Sequence, residues 1–254
     1  SCEIIVVDDG CTDDTCRICE GYPQVQVIAH GRNRGNGAAR TTGVKAARGR
    51  YVVMIDADAT YPTDVIPQMV RELEHYDMVI GARKREMGTL KILRSAAKEF
   101  IRLLASYMTQ THIPDLNSGL RAMKRDLVLQ FLPILPTTHS WVSTITMAFL
   151  SSGYSVQWLP IEYYKRIGRS TFHPIHDTYN YLSLVVRTIM YFNPLRIFLP
   201  VTLALLAVGL IKMIYDILTY NWHFAPSTVM LMLTVVQLGG LGLLADLIVR
   251  KSRP

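Results

Sequence analysis

The sequence has no cysteine after residue 19 and no membrane-length apolar run before residue 195. All four cysteines lie within the first twenty residues, where Cys16-Arg-Ile-Cys19 has the spacing of a zinc-ligand pair. No second Cys-x-x-Cys and no His-x-x-x-His follows to complete such a site. We therefore predict reduced, buried thiols in a reducing compartment rather than a metal centre at these cysteines.

Two further absences narrow the function. The glycine segment that begins at Gly35 lacks the pattern G-x-G-x-x-G and a downstream acidic residue for ribose, which argues against a dinucleotide-dependent oxidoreductase. Lysine and arginine outnumber aspartate and glutamate by 27 to 20, yet no basic stripe interleaved with aromatic residues marks a nucleic-acid surface. We expect the positive charge to serve anionic lipid or an anionic substrate, with no nucleic acid among the partners.

The sequence before residue 165 alternates short apolar runs with helical patterns. Continuous apolar runs are typical of parallel strands that are covered on both faces. Strand–helix alternation predicts a mostly parallel, doubly wound α/β sheet, and ligands bind such sheets at the carboxyl ends of the strands. The predicted strands cover residues 3–9, 25–30, 51–56, 77–83 and 155–164, and the predicted helices cover residues 13–20, 36–47, 64–75, 84–111 and 139–153.

The last sixty residues have the pattern of membrane segments. Residues 197–218 and 228–249 are apolar, and about 22 residues at ~1.5 Å each span ~33 Å, enough for a ~30 Å hydrocarbon core. Arginine and lysine flank this pair of spans but are absent from its linker, so the positive-inside rule places both ends in the cytoplasm. We predict an α/β domain over residues 1–172, an interfacial amphipathic helix over residues 173–194 and a transmembrane hairpin over residues 195–254.

Two sets of residues within the predicted spans need an explanation. Lys212 and Asp216 are four residues apart and can pair along one helical face. We expect a neutral pair near the far interface, with a polar path for a lipid head group as the alternative. Gly239, Gly240 and Gly242 are expected to permit close helix packing.

Two carboxylates, Asp56 and Asp58, follow the third predicted strand one residue apart. Because their charges repel each other, a cation between them would stabilise the pair, and oxygen ligands at this spacing suit Mg²⁺ or Mn²⁺. A metal there would keep open positions for phosphate oxygens and stabilise charge on a diphosphate leaving group. An ordinary acidic turn is the alternative for two carboxylates considered alone.

Six short motifs, the carboxylate pair among them, follow one another between residues 3 and 172. They are Asp8-Asp9-Gly10-Cys11-Thr12-Asp13, Asn33-x-Gly35-x-Gly37-Ala38-Ala39, Asp56-x-Asp58, Gly81-Ala82-Arg83, Asp115-x-x-Ser118-Gly119-Leu120-Arg121 and Arg166-x-Gly168-x-Ser170. Together they resemble the family 2 glycosyltransferases of the GT-A fold. Within that family the sequence is similar to the polyprenyl-phosphate glycosyltransferases, the group that contains dolichol-phosphate mannose synthase and bacterial undecaprenyl-phosphate sugar transferases.

This resemblance implies a metal-dependent, inverting transfer of a sugar from a nucleoside-diphosphate sugar to a dolichyl or undecaprenyl phosphate. The reaction would occur at the cytoplasmic face of a prokaryotic plasma membrane or of the endoplasmic reticulum. The implied ligands of the nucleotide sugar are Asp8, Asp9, Asn33, Gly37, Asp56 and Arg166, and the implied metal ligands are Asp56 and Asp58. The implied ligands of the lipid phosphate are Arg83, Arg94 and Ser170, and the implied catalytic residues are Asp58, Asp115 and Arg121.

Several alternatives stay open at this point. The glycines of residues 33–39 could serve tight helix–sheet packing instead of nucleotide binding, and Asp115 could orient the acceptor, act as a base or fix its own turn. The chain opens inside an apolar strand, without the Pro-x-x-Asn-Glu-like motif that begins the family's pattern, so we expect residues to be missing upstream. Cys11, Asn36, Thr60 and Thr171 replace the residues usual in the family, and no role is carried over to them.

Other functions and assemblies are also open. A truncated, inactive homologue that acts as a membrane scaffold is one alternative. A processive polysaccharide synthase is another, although the Gln-x-x-Arg-Trp motif of such enzymes is absent. The sequence does not determine the number of copies, and a homo-oligomer stays among the expected partners beside membrane lipid.

Overall fold

The computed structural model describes residues 2–84, 103, 106–107, 110–138, 140–164, 186, 190, 193–219 and 223–252. The chain divides into two compact units, Ser1–Val185 and Val186–Pro254. The predicted basic helix at residues 84–111 and the predicted interfacial helix at residues 173–194 fall largely outside the described residues.

The first unit is an α/β fold, as the strand–helix alternation predicts. Its described strands are β1 (Ile4–Asp8), β2 (Val25–Ala29), β3 (Tyr51–Met54), β4 (Met78–Arg83), β5 (Arg121–Lys124) and β6 (Val156–Ile161). Its described helices are α1 (Thr15–Glu20), α2 (Asn36–Ala46), α3 (Ile66–Glu72), α4 (Arg125–Phe131) and α5 (Trp141–Ser151), with a 3₁₀ turn at Leu132–Ile134. The strands form a two-stranded sheet, β1-β2, and a four-stranded sheet with the order β3-β5-β4-β6.

The four-stranded sheet is mixed rather than mostly parallel. β1 pairs with β2 and β4 pairs with β6 in parallel, as predicted, but β5 pairs antiparallel with both β3 and β4. The register of β5 has a direct consequence for the site. Met54 pairs with Arg121, so two further residues along each strand set Asp56 opposite Gly119.

Helices cover the four-stranded sheet on both faces. Successive side chains of a strand point to opposite faces: Met78 and Ile80 of β4 pack in the core cluster that contains α5, whereas Val79 packs with Met69 and Leu73 on the α3 side. Nine of the eleven residues of α5 are buried, which makes it the central helix of the larger core cluster. Burial of a large apolar side chain stabilises a fold by roughly 1.5–3 kcal/mol, so the sheet is held rigidly between these layers.

The second unit is a pair of long helices, α6 (Leu195–Thr219) and α7 (Pro226–Ser252). Both are long and apolar enough to cross a membrane, and only 6% and 17% of their most apolar windows are buried, so neither has the burial of a core helix in a soluble protein. Two of the glycines expected to permit close packing lie against α6. A Cβ on Gly242 would collide with Phe198, and a Cβ on Gly239 would touch Thr202.

A buried carboxylate fastens the two long helices together at their linker. Asp216 near the end of α6 accepts hydrogen bonds from the backbone N–H of Ala225 at 2.9 Å and the hydroxyl of Thr228 at 2.5 Å, both at the start of α7. Lys212 donates to the same carboxylate at 3.3 Å, so the predicted pair does form. Asp216 therefore binds the backbone N–H of the residue that precedes α7, a contact that a capping-box side chain usually makes within its own helix.

Candidate active site

The carboxylate of Asp8, at the end of β1, is held by two cysteines that follow it. The backbone N–H of Cys11 donates to Oδ1 at 2.9 Å, and the Cys16 thiol donates to Oδ2 at 3.2 Å. Hydrogen bonds from the Cys11 thiol, the Cys11 amide and the Cys16 thiol lower the pKa of Asp8. The same carboxylate raises the pKa of Cys16 to about 11. At neutral pH, Asp8 is therefore an anion and Cys16 a neutral thiol.

The four cysteines are free thiols, but they are not buried as predicted. Cys2 and Cys11 are exposed, and Cys16 and Cys19 are intermediate. The reason lies in α1, which presents no buried residue and so leaves the Cys-x-x-Cys pair near the surface.

Asp9 organises the turn that follows β2. Its Oδ1 accepts hydrogen bonds from His30 Nδ1 at 2.7 Å and from the backbone N–H of Arg34 at 2.9 Å, and its Oδ2 accepts from Gly35 N at 2.8 Å. Burial raises the pKa of Asp9, but the hydrogen bonds from His30 and the two amides outweigh this effect and leave the pKa below its ordinary value. Asn33, a predicted nucleotide ligand, lies exposed within this turn, and its side chain accepts a hydrogen bond from Gly35 N at 3.1 Å.

Helix α2 connects the strand ends of the two sheets. Because consecutive residues of a helix are rotated by about 100°, three neighbours point in three directions. The contacts are Arg40 Nη2 to Asp56 Oδ1 at 2.6 Å, Trp141 Nε1 to Thr41 Oγ1 at 3.0 Å, and Thr42 Oγ1 with His30 Nε2 at 2.9 Å. Asp56 directly, and Asp9 through His30, are therefore anchored to the same few residues of one helix.

The two carboxylates after β3 are held in a defined turn. A Cβ on Gly119 would overlap the Asp56 carboxylate, so only glycine fits at this contact. The backbone N–H of Gly119 also donates to the Tyr61 hydroxyl at 2.7 Å, which fixes the same turn from the other side. Asp58 Oδ1 accepts hydrogen bonds from the hydroxyl of Thr60 at 2.6 Å and from its amide at 3.2 Å.

The fit of these residues to a divalent ion follows from their chemistry. Within the described residues, no three His, Cys, Asp or Glu side chains lie close enough together to hold a metal. Two carboxylates are nonetheless a normal protein contribution to a Mg²⁺ site, where waters and substrate phosphates complete the sphere. Asp56 and Asp58 therefore suit an ion that is held jointly with a diphosphate. When neither the ion nor the diphosphate is bound, Arg40 supplies the positive charge beside Asp56.

Arg83 and Asp115 form a two-point ion pair. Arg83 Nε donates to Asp115 Oδ2 at 2.7 Å and Nη2 donates to Oδ1 at 2.9 Å, while the guanidinium lies 5.2 Å from the centre of the Tyr163 ring. Burial raises the pKa of Asp115, but hydrogen bonds and charge from Arg83, with the amide of Asn117, outweigh it and leave the pKa below its usual value. Both oxygens of Asp115 are therefore engaged in binding protein donors.

Arg121, predicted to be catalytic, has no exposed surface in this structure. Its Nη1 donates to the carbonyl of Val142 at 2.7 Å and to Thr146 Oγ1 at 3.0 Å, and its Nη2 donates to the carbonyl of Ser118 at 2.6 Å. These contacts tie the 115–120 turn to α5. The side chain has the environment of a buried structural arginine and not that of a ligand contact.

The glycines at the start of α2 are explained by packing. Gly35 has a φ of +96°, and a Cβ there would press on the carbonyl of Thr137. A Cβ on Gly37 would collide with the backbone of Pro136 and Thr137. Of the two uses left open for these glycines, this structure supports close packing of α2 against residues 136–138.

Three predicted ligands lie outside the described residues, namely Arg94, Arg166 and Ser170. Three residues that do contribute to the site were not predicted: His30, Arg40 and Tyr61. The signal for His30 was present, because it is the last residue of a predicted strand, as Asp9 and Asp56 are.

Residues 1–132, slightly more than half of the chain, match the model of glycosyl transferase family 2. The chain belongs to this family. Residues 193–250 match the GtrB C-terminal hairpin, in agreement with the two long helices of the second unit. The family resemblance drawn from the six motifs is thereby confirmed.

Two curated relatives are named as glycosyltransferases. The glycosyltransferase AglJ of Haloferax volcanii is 29% identical over 98% of this chain and 86% of its own length. The undecaprenyl-phosphate 4-deoxy-4-formamido-L-arabinose transferase of Proteus mirabilis is 31% identical over 54% of this chain and 46% of its own length. With several other curated relatives, the match spans about two fifths of their length.

The fold also matches that of a solved enzyme. Glucosyl-3-phosphoglycerate synthase from Mycobacterium tuberculosis, in complex with Mn²⁺, uridine diphosphate and glucosyl-3-phosphoglycerate, superposes with a TM-score of 0.57 at 19% identity. The likeness covers 74% of this chain and 68% of that one. The predicted GT-A fold is confirmed.

Proposed function

We propose that this family 2 protein transfers a sugar from a nucleoside-diphosphate sugar to a polyprenyl phosphate at the cytoplasmic face of a membrane. The transfer is inverting and depends on Mg²⁺ or Mn²⁺. A relative that is named as an undecaprenyl-phosphate sugar transferase supports the acceptor class. A neighbour solved with Mn²⁺ and uridine diphosphate supports the donor class and the metal.

One observation carries this proposal further than family membership does. The same chain that holds Asp56 and Asp58 at a strand end also contains two apolar helices of membrane length. A soluble acceptor gives no reason for such a hairpin, whereas a lipid acceptor does, because its phosphate stays at the bilayer surface. The hairpin therefore supports a prenyl phosphate over a soluble hydroxyl.

The donor is bound by anionic groups with different tasks. Asp8 is ionised and held by Cys11 and Cys16, so it can accept hydrogen bonds from the N–H groups of a uracil or guanine base. Asp9 shapes the turn that carries Asn33. Asp56 and Asp58 would hold a divalent ion together with the diphosphate oxygens.

The chemistry requires little proton transfer. A phosphate monoester carries about −1.5 to −2 charges near neutral pH and is already a nucleophile. One of its oxygens bonds to the anomeric carbon from the side opposite the diphosphate. The bond from that carbon to the diphosphate breaks, and the electron pair leaves with the diphosphate. A bound divalent ion neutralises charge on this leaving group.

The buried arginines act on the site through its turns. Since Asp115 is ionised and both its oxygens accept hydrogen bonds from Arg83, we assign this pair to holding the 115–119 turn beside Asp56 rather than to base catalysis. Arg121 fastens the same turn to α5. Arg83 and Arg94 were the arginines expected to bind the acceptor phosphate. Because Arg83 is paired with Asp115, we keep this role for Arg94, which lies outside the described residues.

The experiment that tests the function is a donor screen. Membranes that contain the full chain are incubated with radiolabelled UDP-sugars and GDP-sugars, and the lipid products are extracted and hydrolysed with mild acid. We expect one donor to label a prenyl-phosphate sugar, and chelation of divalent ions to stop the labelling.

The matched control is Asp58→Ala, which removes one carboxylate without touching the core. This variant should fold normally and lose transfer by at least about a hundredfold, because it loses a ligand of the ion that would hold the reacting diphosphate. If no donor yields a lipid product, the proposed function is wrong. If Asp58→Ala remains fully active, Asp58 has no part in the mechanism.

A further inference from the structure

A buried histidine lies behind the nucleotide end of the site. His30 follows β2, its backbone N–H donates to the carbonyl of Asp8 at 2.8 Å, and its side chain is 5% exposed. The Asp9 side chain in front of it is 17% exposed. Asp9 can therefore be reached from solvent, while the ring of His30 supports it from the protein side.

Both ring nitrogens of His30 are in use. Nδ1 lies 2.7 Å from Asp9 Oδ1, and Nε2 lies 2.9 Å from Thr42 Oγ1 in α2. A carboxylate can only accept, so Nδ1 carries the proton, and in the neutral ring Nε2 then accepts from the Thr42 hydroxyl. The ring thus joins a carboxylate after β1 to a helix that also contacts Asp56.

The carboxylate held by His30 in turn holds a loop. Asp9 accepts hydrogen bonds from the backbone N–H groups of Arg34 and Gly35, so a shift of the carboxylate would break both hydrogen bonds at once. Backbone packing reinforces the arrangement, because a Cβ on Gly10 would collide with Asn33 N. Loss of the ring would therefore loosen the whole 32–35 turn without opening the core.

We propose that His30 is a positioning residue for the nucleoside diphosphate: it holds Asp9, and through Asp9 the 32–35 turn, in the arrangement that receives the nucleotide. This inference rests on the proposed function, since it assigns the nucleotide to that turn. His30 does not touch the substrate. Its contribution is a fixed carboxylate and two fixed backbone amides.

The test is equilibrium binding of UDP and of GDP to the purified full chain, with Mn²⁺ present, followed by transfer kinetics. His30→Ala should weaken binding of the preferred nucleotide by about tenfold or more, the cost of a lost hydrogen bond to a charged group. The KM for the donor should rise by a similar factor, whereas kcat and the KM for the acceptor change by less than about twofold.

Two further variants separate positioning from a general loss of structure. His30→Asn places an amide N–H where Nδ1 was, so it should recover most of the affinity, although it loses the contact to Thr42. His75→Ala, at an exposed histidine, should bind like the wild type. Amide hydrogen exchange should rise within residues 31–36 in His30→Ala and stay unchanged in the strands of the core.

Different results of these experiments would overturn the positioning role of His30 and the proposed function. Wild-type affinity in His30→Ala, or an equal loss in His30→Asn and His30→Ala, overturns the positioning role. A fall in kcat at unchanged donor KM also overturns it, because it would place His30 in the chemical step. A wild-type chain that binds neither UDP nor GDP overturns the proposed function itself, which is a different result from normal binding by the variant.

Discussion

Arg40 occupies one oxygen of Asp56, the carboxylate that we expect to share a divalent ion with Asp58. A guanidinium at 2.6 Å competes with a metal for the same oxygen and repels its charge. The arginine thus stabilises the carboxylate pair before a metal and a nucleotide arrive. We expect it also to keep the affinity for the ion alone low, so that an ion would be held firmly only together with a diphosphate.

We predict that Arg40→Gln binds Mn²⁺ more tightly in the absence of nucleotide, on the order of tenfold, because a nearby positive charge has been removed. Electron paramagnetic resonance of free Mn²⁺ during a titration measures this directly, without any assay of transfer. Arg40→Lys keeps the charge and is the control, with affinity near that of the wild type. Equal affinities in Arg40→Gln and the wild type would show that the ion pair does not oppose the metal.

Gly119 sets a size limit beside the same carboxylate. Gly119→Ala would place a methyl group on the Asp56 oxygens, so the carboxylate must move by a substantial part of an ångström. We expect kcat/KM to fall by roughly a hundredfold, as displacements of that size can cause in an active site, while circular dichroism stays unchanged. Gly240→Ala, at a helical position with open space around it, should be fully active. Normal turnover in Gly119→Ala would separate the position of Asp56 from catalysis.

At the scale of single residues, part of the candidate site could be predicted from the sequence. Asp8, Asp9, Asp56 and Asp58 were recognisable because acidic residues that end apolar strands cannot be core residues. The partners of these carboxylates were not recognisable. His30 and Arg40 reach them from another strand end and from a helix, and no spacing along the chain encodes a contact made in three dimensions.

At the scale of elements, β5 was not predicted from the sequence, and it is the strand that completes the candidate site. β5 has only four residues, Arg-Ala-Met-Lys, which is too short to display a period of two, and its first residue is an arginine. In the structure that arginine is wholly buried, because carbonyl and hydroxyl groups of α5 and of the preceding turn accept its hydrogen bonds. A local pattern cannot anticipate a buried charge when two of its partners, Val142 and Thr146, lie more than twenty residues away.

The two long apolar helices were predicted to within a few residues, since a long apolar run determines its own structure. What the pattern could not supply was the role of Asp216 as a cap for the neighbouring helix. Ala225 and Thr228, whose donors bind Asp216, lie beyond the linker and carry no sign of their acceptor.

We predict that Asp216→Ala destabilises the hairpin, because it leaves the Thr228 hydroxyl, the Ala225 amide and the Lys212 ammonium without this acceptor. The melting temperature of the detergent-solubilised chain should fall by a few degrees, roughly 2–4 °C for each kcal/mol in a chain of this size. Asp246→Ala is the comparison, since it also removes a carboxylate, from the second long helix. A larger fall for Asp246→Ala than for Asp216→Ala would argue against the capping role.

At the scale of the whole molecule, charge should set the orientation in the membrane. Arg187 and Arg196 precede the first apolar span, residues 197–218, and Arg250, Lys251 and Arg253 follow the second, residues 228–249, while the linker has neither lysine nor arginine. In a bacterial host, green fluorescent protein fused to the C-terminus should fluoresce and alkaline phosphatase at that position should be inactive. Phosphatase inserted into the linker should be active. The reverse pattern would place the family 2 domain on the wrong side for a cytoplasmic donor.

We expect helix α2 to couple the binding of the base to the binding of the metal. Arg40 contacts Asp56 and Thr42, two residues further along the same helix, contacts His30, so a rotation of the helix that improves one contact alters the other. Thermodynamic linkage is reciprocal: the factor by which the bound nucleoside raises the affinity for the cation equals the factor by which the bound cation raises the affinity for the nucleoside. Thr42→Val removes the hydrogen bond to His30 and leaves every carboxylate in place. It should lower this reciprocal factor more than it lowers the affinity for the cation or for the nucleoside measured alone.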